Sequence, residues 1–261
     1  MSETFRGKTA LITGGSSGIG FELAKLFMKD DATVILVASD AAKLDKAAIS
    51  LESLFGRRPM VIVNDLARPE APREIFDELQ RKSVSTDILV NNAGFGIYGK
   101  FSDTDLDKAL KMLDVNTRVL VSLTRLFLPG MLVRRYGRVL NVASTAGFQA
   151  IPIESLYAAS KAFVLIFSEG LADEVKGSGV SVTCLCPGAT NTPFFTRGEI
   201  FPSKMLKRSM MDGATVARVG FRGLKQRKAL VIAGLSNRLI PFFERFAPRS
   251  LVTKLARKVV E

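Results

Sequence analysis

Thr13-Gly14-Gly15-Ser16-Ser17-Gly18-Ile19-Gly20 joins an apolar run, Thr9–Thr13, to a helical pattern, Gly18–Lys29. Glycines at such a strand-to-helix junction permit a tight turn. They also let backbone N–H groups approach a pyrophosphate at the helix N-terminus. Gly14, Ser16, Ser17, Gly18, Ile19 and Gly20 are therefore the first candidate nucleotide contacts. Working outward, short Val/Ile/Leu-rich runs recur at Thr33–Val37, Met60–Asn64, Ile88–Asn91, Arg138–Val142, Val180–Cys186 and Ala229–Ala233. Their apolar character is mostly continuous, which predicts strands buried on both faces of a parallel sheet. Helical patterns separate them, at roughly Gly18–Lys29, Ala41–Phe55, Ala71–Lys82, Asp105–Leu128 and Ser155–Lys176. Asp40, Pro69 and Asp103 sit at helix starts, and Gly177 at a stop. The alternation predicts one doubly wound α/β domain with a parallel sheet of about seven strands flanked by helices.

Composition narrows the chemistry. The 261 residues include no histidine and two cysteines, Cys184 and Cys186. That excludes imidazole-based triads and His-ligated metal, and leaves no basis for a metal site or a disulfide framework. Proton transfer near neutral pH must use a carboxylate, a tuned lysine or a tuned tyrosine. The two cysteines lie at period-two spacing and read as core. The N-terminus has no apolar run of the signal-peptide kind, and no segment reaches the length of a spanning helix, so a reduced, cytoplasmic protein is expected. The net charge is +12, of which +11 falls on residues 204–261. No nucleic-acid-binding module accompanies it, so no nucleic-acid partner is expected.

Further along the chain stand Asn91-Asn92-Ala93-Gly94, Asn116, Ser144 and Tyr157-Ala158-Ala159-Ser160-Lys161. Tyr157 and Lys161 are four apart on a helix and share a face. An ammonium beside a phenol is expected to lower the tyrosine pKa and supply the acid/base that histidine cannot. Ser144 follows a buried strand, at the carboxyl end of the sheet where ligands bind. Asn116 falls mid-helix, a poor place for asparagine, and on its own reads as a solvent-facing polar residue.

Together with the glycine turn, spaced G-x-x-x-G-x-G, these motifs resemble the short-chain dehydrogenase/reductase family, and in particular bacterial NADP-dependent ketone and ketoacyl reductase-like members. The resemblance is dense over residues 7–192 and loose over the last 70. It implies a single Rossmann-type domain that transfers hydride between NAD(P) and a carbonyl/secondary-alcohol pair. Tyr157 would be general acid/base and Ser144 would hold the substrate oxygen. Lys161 would tune the tyrosine and bond the nicotinamide ribose, and Asn116 would anchor a proton-relaying water. The resemblance further places Asn92, Ala93 and Gly94 beside the adenosine, and Asp65 and Leu66 at the adenine. Pro187, Gly188, Thr190 and Thr192 would meet the carboxamide and phosphates, and Tyr157 and Lys161 also touch the cofactor. It implies a homo-oligomer, dimer or tetramer. The competing reading is a nucleotide-sensing binding protein of the same fold without turnover, against which the intact catalytic set argues.

Cofactor choice turns on Val37-Ala38-Ser39-Asp40. A carboxylate at the strand end would bind the ribose 2′-hydroxyl and repel a 2′-phosphate, and Ala38 occupies that position. Asp40, about 20 residues past the glycine turn, suits either the ribose carboxylate or, more readily, the N-cap of the next helix. With Ser39 and Lys43 available, NADP is favoured, with NAD the alternative. A lid-like segment, about 193–214, collects Phe194, Phe195, Ile200, Phe201, Met205, Leu206, Met210 and Met211, with Phe95, Ile97, Tyr98 and Phe148 as the opposite wall. Such a pocket would take a lipophilic ketone or alcohol, a 3-oxoacyl chain or steroid-like ring. Residues 235–261 form a basic amphipathic extension. It suits either docking on the domain or a partner subunit, or peripheral contact with the inner face of a membrane. Its charge also suits an acyl carrier or the phosphates of coenzyme A.

Overall fold

The computed structural model describes residues 3–197, 208–244 and 246–260. Seven parallel strands form one sheet: β1 (Thr9–Thr13), β2 (Thr33–Ala38), β3 (Met60–Val63), β4 (Ile88–Asn91), β5 (Gly137–Val142), β6 (Val180–Cys186) and, after a shorter ribbon, a final strand at Leu230–Ile232. Their order is β3-β2-β1-β4-β5-β6-final strand, so the winding reverses between β1 and β4. Register is regular, with Ile12 opposite Leu36 and Leu11 opposite Leu89. Successive side chains of a strand face opposite ways. Ala10, Ile12, Val34 and Leu36 accordingly enter one core, with Leu23, Phe27 and Leu44. Leu11, Ile35 and Val37 enter the other, with Ile75, Leu79, Leu123 and Phe127. Full burial of each Val, Leu, Ile or Phe among them stabilises by about 1.5–3 kcal/mol. The continuous apolar runs thus have their physical reason: both faces of the sheet are covered.

The helices on those faces are α1 (Gly18–Lys29), α2 (Ala41–Phe55), α3 (Ala71–Arg81), α4 (Leu106–Leu113), α5 (Val119–Val133) and α6 (Ser155–Glu174). Asp40 caps α2 through the Lys43 N–H, as its position predicts. The expected single helix Asp105–Leu128 is instead α4 and α5 joined by a π-helical turn, Asp114–Arg118, and α5 runs past Pro129 to Val133. A helix that the strand-and-helix rhythm does not single out, Gly213–Lys225, packs on α1. Asp212 caps it through the Thr215 N–H, and Phe221 of this helix closes an aromatic group with Phe5 and Phe27.

Past β6 the chain forms a two-residue strand, Thr190–Asn191, and the short helix Phe194–Arg197. A second two-residue strand, Met211–Asp212, pairs parallel with the first. Ile200, Phe201, Met205 and Leu206 of the expected lid lie outside the described residues. The C-terminal extension is a helix pair, Leu235–Glu244 and Arg249–Val260, of which Ala256 is buried against the domain.

Candidate active site

A cavity of about 470 Å³ opens at the carboxyl ends of the strands, beside the point where their order reverses. That is where an open parallel sheet binds ligands, because neighbouring strand-to-helix loops diverge there. Gly14, Ser17, Gly18, Ile19, Asn92, Ala93 and Gly94 line it, together with Ser144, Tyr157, Lys161, Pro187, Gly188, Thr190 and Thr192, the last lying against Gly18.

The glycine turn is locked from β4. Thr13 Oγ1 donates to the Val90 carbonyl and accepts from the Asn92 and Ala93 N–H groups. The Asn92 amide donates to the carbonyls of Thr13 (2.8 Å) and Gly14 (3.2 Å). Asn92 therefore lines the cavity while its own donors hold the turn. Gly14 has φ +65°, and a Cβ there would lie 2.9 Å from the Asn92 amide nitrogen. A side chain at 14 would be strained and would push the loops apart. Gly20 is not a lining residue; it lets α1 sit against the turn.

Tyr157 and Lys161 come from the first turns of α6. Ser144, on the turn after β5, accepts from the Ala146 N–H (3.1 Å) and donates to the Pro187 carbonyl (3.4 Å). The Ser144 hydroxyl also hydrogen-bonds the Tyr157 phenol, while the Tyr157 ring lies 5.5 Å from that of Phe194. Lys161 is 4% exposed, and its Nζ donates to the Val142 carbonyl at 3.0 Å. Among the described residues no carboxylate pairs with it. Burial pushes its pKa down to about 8. Burial also holds Tyr157 well above the ordinary tyrosine value, with Glu154 pushing the same way and the Ser144 hydrogen bond opposing. The expected lowering of the tyrosine pKa by the lysine is not what this geometry gives. The ammonium sits 5.8 Å from the ring centroid and is turned to a backbone carbonyl, so desolvation wins.

Asn116 is not solvent-facing. The π-helical turn carries it inward to 2% exposure. Its Oδ1 accepts from the Phe95 N–H, and its amide donates to the Phe95 carbonyl and to Ser160 Oγ. Both amide protons are thus committed to clamping the Gly94–Phe95 loop onto α6. Such π turns occur often where a helix must re-aim a side chain at a site.

Six expected contacts do not line the cavity: Ser16 and Gly20 lie within the turn itself, and Ser39, Lys43, Asp65 and Leu66 stand apart from it. Ser39 is exposed, and the Lys43 ammonium pairs with Asp40 at 2.9 Å. Asp65 is exposed and accepts from the Ala67 N–H, and Leu66 packs into the core. Phe148 packs with Leu120 and Val164, and Phe95, Ile97 and Tyr98 pack against the buried group of Met112, Ile151 and Tyr157, so none of the four expected wall residues lines the cavity. Cys184 and Cys186 are buried core residues with sulfurs 3.8 Å apart.

The remaining cavity wall holds residues that motif reading does not find: Glu154, Ser236, Asn237, Ala256 and Val259, alongside Phe194 and Phe195. Burial raises the Glu154 carboxyl to about 7. The only sequence signal for Glu154 is its place one helical turn before Tyr157.

The residues suit a dinucleotide. A bare glycine turn opens onto one continuous cavity that ends at the Tyr157–Lys161 pair, and beside the turn the buried Ser16 hydroxyl has no partner. The comparisons agree with that geometry. A short chain dehydrogenase model matches residues 8–199. The ketoacyl reductase HetN of Nostoc sp. is 32% identical over 71% of this chain and 64% of its own length. A very-long-chain 3-oxoacyl-CoA reductase of Anas platyrhynchos is 38% identical over 69% of this chain and 59% of its own. The chain thus spans about three fifths of the length of these relatives. A short-chain dehydrogenase of Sphingobium yanoikuyae, solved in complex with NADPH, superposes with TM-score 0.82 at 29% identity, covering 94% of both chains. By the matched model, the seven-stranded sheet and the site at its carboxyl end, this chain belongs to the short chain dehydrogenase family, whose members use NAD(P).

Proposed function

We propose that the protein is an oxidoreductase that reduces a lipophilic ketone to a secondary alcohol, a 3-oxoacyl chain or steroid-like ring being the substrate class, and that it prefers NADPH. The observation that carries this reading is Tyr157, buried and protonated, hydrogen-bonded to Ser144 and one helical turn from Lys161, in a cavity whose apolar lining includes Phe194, Phe195, Ile151, Ala256 and Val259 beside the polar Glu154, Ser236 and Asn237. An apolar cavity with a few convergent polar groups binds an apolar molecule with one polar function.

The chain's own part follows from its protonation states. Ser144 and Tyr157 offer two hydroxyls to one substrate oxygen. A phenol held in its neutral form by burial is ready to give its proton to that oxygen as negative charge develops there. A bound nicotinamide would supply the hydride to the carbonyl carbon. Lys161, charged below about pH 8, places a cation beneath the site where the donating phenol becomes anionic. Asn116 fixes Phe95 and Ser160, and thereby the spacing between the cofactor loop and α6. The glycine turn and the Ser16 hydroxyl would hold the pyrophosphate. The NADPH preference rests on the absence of a carboxylate at Ala38. Lys43 would have to exchange its Asp40 partner for a 2′-phosphate.

The basic C-terminal segment belongs to the same reading, because a lipophilic substrate reaches such a pocket from either a membrane or an acyl carrier. The protein is expected to act as a homo-oligomer. A panel of ketones assayed with NADPH and NADH, read by absorbance of the reduced nicotinamide, tests the proposal. Turnover of bulky apolar ketones with NADPH supports it. Tight binding of the dinucleotide with no turnover across the panel favours the nucleotide-sensing alternative.

A further inference from the structure

The C-terminal helix pair has two faces with different partners. Its inner side belongs to the cavity: Ser236 and Asn237 from the first helix, Ala256 and Val259 from the second. Its outer side is apolar and open. Leu235, Leu239, Phe242, Phe243 and Phe246 recur at helical spacing, with Leu235 80%, Phe243 62% and Phe246 76% exposed. Phe242 stacks edge-on against both Phe243 and Phe246, so the patch is contiguous. Leu251 and Leu255 are also exposed on the second helix, on a different side from the buried Ala256. Exposed apolar side chains gathered this densely mark an interaction site rather than ordinary surface.

Charge selects the occupant. Residues 235–260 hold six basic side chains and one acidic, Glu244. Two copies of this face would repel each other. An acidic carrier protein would satisfy the cations but leave the phenylalanines in water. A helix with Phe and Leu on one side and Lys and Arg around them fits the boundary between anionic headgroups and acyl chains. Among the described residues no helix is long and apolar enough to cross a membrane, so the pair would lie on the surface.

We propose that the outer face of Leu235–Glu244 and Arg249–Val260 docks on an anionic lipid bilayer, so that the two helices walling the substrate cavity are the ones resting on lipid. Substrate would then enter from the membrane side, between these helices and Phe194–Phe195. That last link rests on the lipophilic-ketone reading, whereas docking itself does not.

The test is vesicle flotation of the full chain, with phosphatidylcholine alone and with phosphatidylserine added. Two variants accompany it: Phe242→Ser/Phe243→Ser/Phe246→Ser, and Arg249→Glu/Lys254→Glu. The expected result is capture by the phosphatidylserine vesicles that weakens as salt rises, and a loss of roughly tenfold or more in either variant. Circular dichroism and dinucleotide binding should stay unchanged in both variants. Failure of the unaltered chain to float, equal capture by neutral vesicles, or full capture of both variants overturns docking. So does light scattering that shows the phenylalanine variant separating a dimer which itself ignores vesicles; a second copy would then be the occupant. If flotation succeeds while bulky ketones are not turned over, docking stands and the substrate reading falls.

Discussion

The cavity has two walls built on different physical terms. The inner wall, from the glycine turn through Asn92–Gly94 to Ser144 and Lys161, hangs from the ends of fully buried strands. Its side chains are held by hydrogen bonds to the backbone of neighbouring strands and loops. The outer wall, Phe194, Phe195, Asn237, Ala256 and Val259, comes from short helices beyond the sheet whose other sides face outward. Rigid placement suits chemistry that tolerates little error in proton and hydride positions. A wall of helices with little sheet behind them can change from one substrate to another without disturbing that chemistry. The comparison therefore predicts that inner-wall changes act on turnover and outer-wall changes on substrate selection.

The largest effect should come from Tyr157→Phe, which removes the proposed proton donor and little volume. Turnover should fall about 10³-fold, with dinucleotide affinity unchanged by fluorescence titration. A residual rate near that of the unaltered chain would dissolve the distinction between the walls. Lys161→Met should lower turnover about a hundredfold while raising thermal stability. The sign follows from linkage. Burial lowers the lysine pKa to about 8, so its contribution to stability is present above its ordinary value of 10.5 and lost as pH falls through 8. Replacing it should therefore stabilise the protein at pH 7 by roughly 2 kcal/mol in calorimetry. Destabilisation at pH 7 would show the buried amine to be a net structural asset.

Outer-wall effects should be smaller and of another kind. Ala256→Phe places a ring in the cavity opposite Tyr157. KM for bulky ketones should rise about tenfold with kcat for small ketones nearly unchanged, since overpacking costs about 1–3 kcal/mol. Equal losses for small and bulky ketones would join the two walls into one unit. Smallest is Glu154→Gln. The carboxyl is raised to about 7, so its neutral form favours folding up to about pH 4.5, and that contribution is lost as pH climbs through 7. The variant should be more stable than the parent at pH 8. Its rate profile should lose a few-fold inflection near pH 7, which a persistent inflection would assign to another group.

The same contrast decides what the sequence made legible. Strand runs and the glycine turn are local patterns whose meaning is set by burial on both faces, so β1 to β6 and the inner wall could be read within a residue or two. Asn116 could be placed near the site only by resemblance, because a π turn leaves no simple periodicity and an asparagine in a helix otherwise reads as surface. Tyr157 and Lys161 share a helix face by spacing, and the lysine is the ammonium that reading expects below about pH 8, yet the tyrosine pKa moves up rather than down. Spacing reports proximity, whereas the pKa values follow from desolvation by residues far away in the chain. Lys43 looked like a free cation until the Asp40 cap claimed it. Ala256 and Val259 lie about 100 residues from Tyr157 in a segment whose pattern suits docking on the domain without saying against which part of it. Nothing local marks the side of a basic helix that closes a cavity.

The account's central claim is that Tyr157 delivers the proton in a carbonyl reduction. The most direct measurement is single-turnover oxidation of bound NADPH by a bulky ketone, followed in the unaltered chain and in Tyr157→Phe across the pH range. The account predicts turnover in the unaltered chain whose steep decline, beyond the few-fold inflection near pH 7, comes only in the alkaline range, and a rate about 10³-fold lower in the variant. Comparable rates in the two proteins, or a variant whose loss is restored simply by raising NADPH, would contradict it.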